Sequence, residues 1–167
     1  MINTANLQGV QNVVSQGIDF PSYLSGFFEG EGCFSVSFSR NIKYRLNWEV
    51  RPSVSASQNE SRRQIVDSIQ NYFGCGFIRR DLSDKTVKWE CRSLNEIHSI
   101  ILPHFDLYPL ITTKNEDVKS LRKVVKMMSN KEHLNRAGLI AIVNIVKEMN
   151  PDGKRRIALT DILASMR

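Results

Sequence analysis

The first 35 residues of this 167-residue chain contain no lysine or arginine. The opening stretch MINTANLQGVQNVVSQGID also has no apolar core, so a signal peptide is not predicted there. Long hydrophobic runs are missing too, and nothing in the sequence is apolar enough for long enough to cross a bilayer, so no membrane partner is expected. Cysteine is scarce: Cys33, Cys75 and Cys91 fall at no metal-ligand or redox spacing and are odd in number, which excludes a disulfide framework and predicts free thiols in a reducing compartment. Internal repeats and low-complexity blocks are absent.

What is present fits one sizeable core. With 41% hydrophobic residues the chain reads as a polar N-terminal leader over 1–19 followed by a single domain over 20–167. The net charge is +6, unevenly spread. Residues 1–35 carry three acids and no base, residues 36–92 carry eleven bases against six acids, and residues 93–167 carry twelve against eight. An acidic beginning therefore sits beside a basic body that favours a polyanionic partner.

Four Ser/Thr-x-x-Glu patterns predict helix starts at Ser57, Ser93, Thr113 and Ser129, because such side chains satisfy orphan amides of a first turn. An earlier helix is expected from Pro21 to near Gly32, a broad apolar helix in AGLIAIVNIVKEM ending at Asn150 and Pro151, and a short one in TDILASMR. Between them the period changes to two. Phe34, Val36 and Phe38 alternate with serines; Trp48, Val50, Pro52, Val54 and Ala56 alternate with polar residues; a second pair follows in FIRRD and TVKWECR. The implied architecture is α+β: an antiparallel four-stranded sheet with helices on one face and a polar face left open. That face holds Ser35, Ser37, Ser39, Arg40, Glu49, Arg51, Ser53, Ser55, Arg79, Asp81, Thr86, Lys88, Glu90 and Arg92. Such a face can simply be solvated, or it can read nucleic acid, since hydroxyls and charges on a two-stranded ribbon suit the major groove.

The stretch LSGFFEGEGCF raises the sharpest question. Glu29 and Glu31 lie about 200° apart on a helix and cannot form one acid/base pair. Glu31, at the helix end, can point onto the open face, where a carboxylate repels phosphate unless a divalent cation lies between them. Gly26 and Gly30 share a helix face, and each weakens the helix by roughly 1 kcal/mol relative to alanine, which predicts a close approach by another helix.

YLSGFFEGEGCF resembles the signature of the LAGLIDADG homing endonucleases, with Leu24, Gly26, Phe27, Gly30, Glu31 and Gly32 at motif positions. YFGCGFIRRD, LYPLITTKNED and NKEHLNRAGLIAIVNIVKEMN extend the resemblance over about residues 20 to 156. It implies the αββαββα fold, with a DNA-binding saddle on the open sheet, and a site-specific endonuclease that cuts double-stranded DNA at a long, near-palindromic target in intron homing. It implies Mg²⁺ as cofactor, with Mn²⁺ substituting and Ca²⁺ supporting binding without efficient cleavage. Glu31 matches the metal-binding acid and the Gly30 carbonyl a further ligand. Gln58 and Arg62, at the start of the second helix, match groups that order water or stabilise the scissile phosphate, and Lys114 matches a basic group whose register could instead fall at Thr112. A single motif implies a homodimer, its interface formed by Leu24, Ser25, Gly26, Phe28 and Glu29. Alternatives within the same fold are a group I intron maturase, with intron RNA as partner, and a DNA-binding regulator that does not cut. Family habit implies a mitochondrion or chloroplast.

Overall fold

The computed structural model describes residues 17–82, 84–150 and 157–165, so most of the expected polar leader and the expected helix end at Pro151 lie outside the described residues. Helix α1 spans Phe20–Glu31, with Pro21 in its first turn, where a missing amide hydrogen costs nothing. Strands β1 (Gly32–Arg40) and β2 (Trp48–Asn59) follow, then a 3-10 turn (Glu60–Arg62) and α2 (Gln64–Phe73). After β3 (Phe77–Asp81) and β4 (Thr86–Cys91), α3 (Leu94–Glu96) runs through a π-helical segment (Ile97–Ile101) into α4 (Leu102–Leu107). Pro103 has no amide hydrogen for the ladder, and the adjoining Leu102 amide bonds back to Ile97 instead, widening this stretch. Helices α5 (Lys114–Ser129), α6 (Arg136–Lys147) and α7 (Leu159–Ala164) complete the described chain. None of the described helices is long and apolar enough to cross a membrane.

The strands form one antiparallel sheet in the order β1-β2-β4-β3. Its register opposes Phe34 to Val54 and Ala56 to Trp89, so the expected apolar alternation falls on one face. Phe34, Val54, Ala56, Val87 and Trp89 are buried there, in one core with Leu24 and Phe28 of α1, Val66 and Ile69 of α2, and Leu121 and Val125 of α5. The expected α+β arrangement is the one observed.

Helix starts are less faithful to the caps. Ser93 caps α3 as expected, its hydroxyl accepting from the Glu96 amide at 3.3 Å. Ser57 instead lies inside β2, opposite Lys88, because β4 pairs along β2 as far as Asn59 and delays α2 to Gln64. At α5 the Thr113 side chain makes no cap; the Thr112 hydroxyl accepts from the Lys114 amide at 3.3 Å. Ser129 ends α5, donating to the Val125 carbonyl, and α6 is capped by Asn135, which accepts from the Gly138 amide at 2.8 Å. A Cβ on Gly138 would stand 2.1 Å from the Glu132 carbonyl oxygen, so α6 is seated directly on the 3-10 turn at Glu132–Leu134 and starts where that packing allows.

Candidate active site and nucleic-acid face

The end of α1 is held from three directions. Phe28 anchors it in the core, its ring against those of Phe34, Phe73, Trp89 and Phe105. Gly32 closes the helix, its amide donating to the Phe28 carbonyl; a Cβ there would lie 2.5 Å from that same oxygen, so only glycine fits. From α5, the Lys114 ammonium donates to the carbonyls of Phe28 (3.3 Å), Glu29 (2.6 Å) and Gly32 (3.0 Å). In return the Glu29 carboxylate accepts from the amides of Ile111 (2.6 Å) and Thr112 (3.1 Å) and from the Thr112 hydroxyl (2.5 Å). Partial burial acts to raise the Glu29 pKa, but these donors outweigh it and hold the carboxyl below its ordinary range. Two segments some 80 residues apart are thus locked by reciprocal charge-assisted bonds.

This lock presents Glu31, the exposed last residue of α1, to an open pocket of about 520 Å³ lined by Tyr23, Gly26, Phe27, Gly30, Glu31, Gln58, Arg62, Gln64 and Ile65. Glu31, Gln58 and Arg62 are therefore brought together. They do not come from the expected elements: Gln58 lies on β2 and Arg62 in the 3-10 turn, not in α2. Lys114 does not line this pocket; its ammonium is committed beneath the helix end, where it positions the backbone that carries Glu31. It takes the carbonyls of Phe28, Glu29 and Gly32, and not that of Gly30. The Glu31 carboxylate and the Gly30 carbonyl of the last turn are both oxygen donors of the kind a hard divalent cation takes, and the negative end of the α1 dipole favours a cation there.

The open sheet face carries most of the expected polar set. Ser35 opposes Ser53, Ser37 opposes Arg51 and Ser39 opposes Glu49, while Ser55 opposes Glu90 and Arg79 opposes Lys88. Asp81 and Thr86 pair at the far end of the β3–β4 hairpin. Two carboxylates organise this face. Glu90, only 4% exposed, accepts from Ser53 (2.9 Å) and Arg92 (2.9 Å), with the Arg79 Nε at 3.4 Å. Its burial acts to raise its pKa, but the Arg92 and Ser53 bonds prevail and keep it below the ordinary carboxylate range. Glu49 accepts from Arg51 (2.7 Å), Asn41 (3.2 Å) and Ser39 (3.3 Å). Arg40 departs from the expectation. It opposes Trp48, on the parity of the core residues, and lays its guanidinium 4.5 Å from the Trp48 ring centre. Phe77, 44% exposed and on the polar parity of β3 beside Arg92, was not among the expected contacts; its place two residues before Arg79 was the available signal.

The expected dimer face needs a larger correction. Leu24 and Phe28 are fully buried in this chain's own core. Ser25 is buried too, bonded to the Tyr108 carbonyl (2.6 Å) and His104 (3.2 Å), and Glu29 is engaged by the loop before α5. The outward stripe of α1 is instead Tyr23, Gly26, Phe27 and Gly30, at i, i+3, i+4 and i+7. A Cβ on Gly26 or Gly30 would meet nothing within 4 Å among the described residues beyond the helix's own neighbouring backbone.

Known proteins resemble this chain in sequence and fold. The chain is 32% identical over 131 residues to the probable intron-encoded endonuclease 2 of Neurospora crassa, covering 78% of this chain and 29% of that protein. It spans between 26% and 30% of the length of the first curated relatives it matches. The solved homing endonuclease I-TnaI superposes with a TM-score of 0.81 at 33% identity, over 88% of this chain and 97% of that one. I-SmaMI, solved bound to its uncleaved DNA target in the presence of calcium ions, superposes with a TM-score of 0.78 at 32% identity, over 87% of this chain and 48% of that one. A family model described as LAGLIDADG endonuclease matches residues 24–125, from inside α1 into α5, and the chain belongs to that family.

Proposed function

We propose that this chain is a site-specific DNA endonuclease that acts as a homodimer, uses Mg²⁺ and cuts both strands of a long, near-palindromic target in intron homing. The observation that carries the reading is the convergence of Glu31, Gln58 and Arg62 on one pocket beside Gly26 and Gly30. The intron-encoded and DNA-bound proteins it resembles support the substrate class. By the same resemblance we place its action in a mitochondrion or chloroplast.

Each residue has a part in this chemistry. The Glu31 carboxylate and the Gly30 carbonyl would hold the metal. Bound there, Mg²⁺ supplies Lewis-acid stabilisation of phosphate charge and lowers the pKa of an attacking water. Arg62 offsets charge on the scissile phosphate, and Gln58 orients water by its amide. Lys114 and Glu29 fix the helix end that carries Glu31. Arg51, Arg79, Lys88 and Arg92, with the serines between them, contact the duplex. Two copies are needed because one acidic site serves one strand.

A cleavage selection from a randomised DNA library in Mg²⁺ identifies the target. On that target Glu31→Gln is expected to lose cutting and keep specific binding, measured in Ca²⁺, because the side chain retains its shape and loses the charge that holds the cation. Cutting by this variant at near wild-type rate removes Glu31 from the mechanism.

A further inference from the structure

Cys75, in the loop before β3, Cys91, at the end of β4, and Glu96, in the first turn of α3, converge on the side of the sheet away from its open face. One ligand atom from each lies within 4.8 Å of the other two. Cys91 is fully buried, Cys75 is 6% exposed, and Glu96 reaches them from a half-buried position. The Cys91 thiol donates to a Glu96 carboxylate oxygen across 3.4 Å. In a tetrahedral zinc site, with sulfur at ~2.3 Å and oxygen at ~2.0 Å from the metal, that edge measures about 3.5 Å.

The approach of Cys75 is built by its neighbours. Gly76 adopts a left-handed φ of 77°, and a Cβ on it would stand 2.8 Å from both the Glu90 carbonyl oxygen and Trp89 Nε1. Trp89 Nε1 also donates to the Cys75 carbonyl at 2.9 Å, so Cys75 is fixed against the end of β4. With both thiols ionised, the two sulfurs and the carboxylate would repel one another unless a cation lay between them. Two thiolates select a thiophilic ion over Mg²⁺, and the carboxylate favours a divalent ion over Cu⁺.

We propose that Cys75, Cys91 and Glu96 bind Zn²⁺, with water as fourth ligand on the half-exposed Glu96 side. Binding ionises both thiols, so two protons leave as the two Zn–S bonds form, and no oxidant or reductant is involved. The bound ion clips the start of β3 and the end of β4 to α3, bracing the hairpin that carries Arg79 and Lys88.

The test uses the full chain, reduced, stripped of metal with a chelator and titrated with Co²⁺ in excess Mg²⁺, which competes at the Glu31 carboxylate. The expected result is a thiolate-to-Co²⁺ charge-transfer band that saturates at one ion per chain and is displaced by Zn²⁺. Cys33→Ser keeps the band, Cys91→Ser loses it, and Glu96→Gln weakens Co²⁺ binding at least tenfold. Glu96 is half-exposed, so its variant provides the comparison if the buried Cys91→Ser chain fails to fold. No band at stoichiometric Co²⁺ in the reduced wild type overturns the proposal. So does a band abolished by Cys33→Ser, or an affinity unchanged in Glu96→Gln. A Cys75–Cys91 disulfide in a protein that takes up no metal after reduction also overturns it.

Discussion

Lys114 illustrates how a charged side chain can act through backbone. Its three acceptors are carbonyls around the end of α1, where a cation also complements the helix dipole. Lys114→Met keeps the stem and removes the donors, and is expected to cost about 1–3 kcal/mol in urea unfolding, with cleavage falling as Glu31 loses its support. An unchanged midpoint would show that the three bonds contribute nothing net. Glu90 acts similarly on the open face. An acidic side chain there repels phosphate, yet it lies between Arg79 and Arg92 and fixes both forks. Glu90→Gln should strengthen binding to scrambled duplex, since one negative charge is gone, and, under the proposed DNA contacts of Arg79 and Arg92, weaken discrimination at their bases by about 1–3 kcal/mol. Competition binding of selected against scrambled DNA measures this, and an unchanged ratio would remove Glu90 from specificity.

At the scale of elements, His104 joins three helices. Its Nε2 meets the Ser25 hydroxyl of α1 at 3.2 Å and its Nδ1 the Tyr72 hydroxyl of α2 at 3.1 Å, while the ring packs edge-on against Phe73 and Phe105. Because Ser25 donates its hydrogen to the Tyr108 carbonyl, Nε2 carries the imidazole proton and Nδ1 accepts from Tyr72. Burial depresses the His104 pKa from 6.5 to about 4. The unfolded chain therefore binds a proton that the folded chain refuses between these values. The stability from a neutral His104 is complete above pH 6.5 and is lost as pH falls toward 4. Between pH 7 and pH 5 this amounts to about 2 kcal/mol, measurable by urea unfolding. His104→Gln should flatten that part of the profile; an unchanged slope would assign the dependence to other groups.

For the whole molecule, the outward stripe of α1 has the form of a surface awaiting a partner. Tyr23 is 50% exposed, and the glycines beside it have no contact in this chain that excludes a side chain. A monomer has no use for two residues that each weaken the helix by roughly 1 kcal/mol. In the proposed homodimer a second α1 crossing at Gly26 and Gly30 would give them one, and would set a Glu31 from each copy side by side. Gly26→Leu should then dissociate the dimer and abolish double-strand cutting, costing more than the ~1–3 kcal/mol of ordinary overpacking if the backbones touch. In a monomer the same change would be neutral or stabilising, as leucine is the better helix former. Sedimentation should give a wild-type mass near twice 19.1 kDa that falls by half in the variant. A wild-type monomer that cuts both strands as a single copy would sink the two-copy site.

Short-range periodicity made much of this protein legible in its residues. Alternation at period two placed Phe34, Val54 and Trp89 on one face and Ser35, Ser53 and Arg79 on the other, because successive strand side chains point oppositely. A helix running from Pro21 into a glycine-closed end put Glu31 at the junction with β1, and the structure keeps it there. Periodicity could not say which stripe of α1 faces its own core, since Leu24 and Phe28 form one apolar stripe and Tyr23 and Phe27 another. That choice was made when Phe28 met Phe34, Trp89 and Phe105. Strand pairing beyond Ser57 likewise overrode a local cap and put Gln58 on β2. The Lys114 contacts and the meeting of Cys75, Cys91 and Glu96 join residues from separate elements. Only the tertiary structure decided these, because the distance between such groups is set by how helices and strands stack, and spacing along the chain carries no record of it.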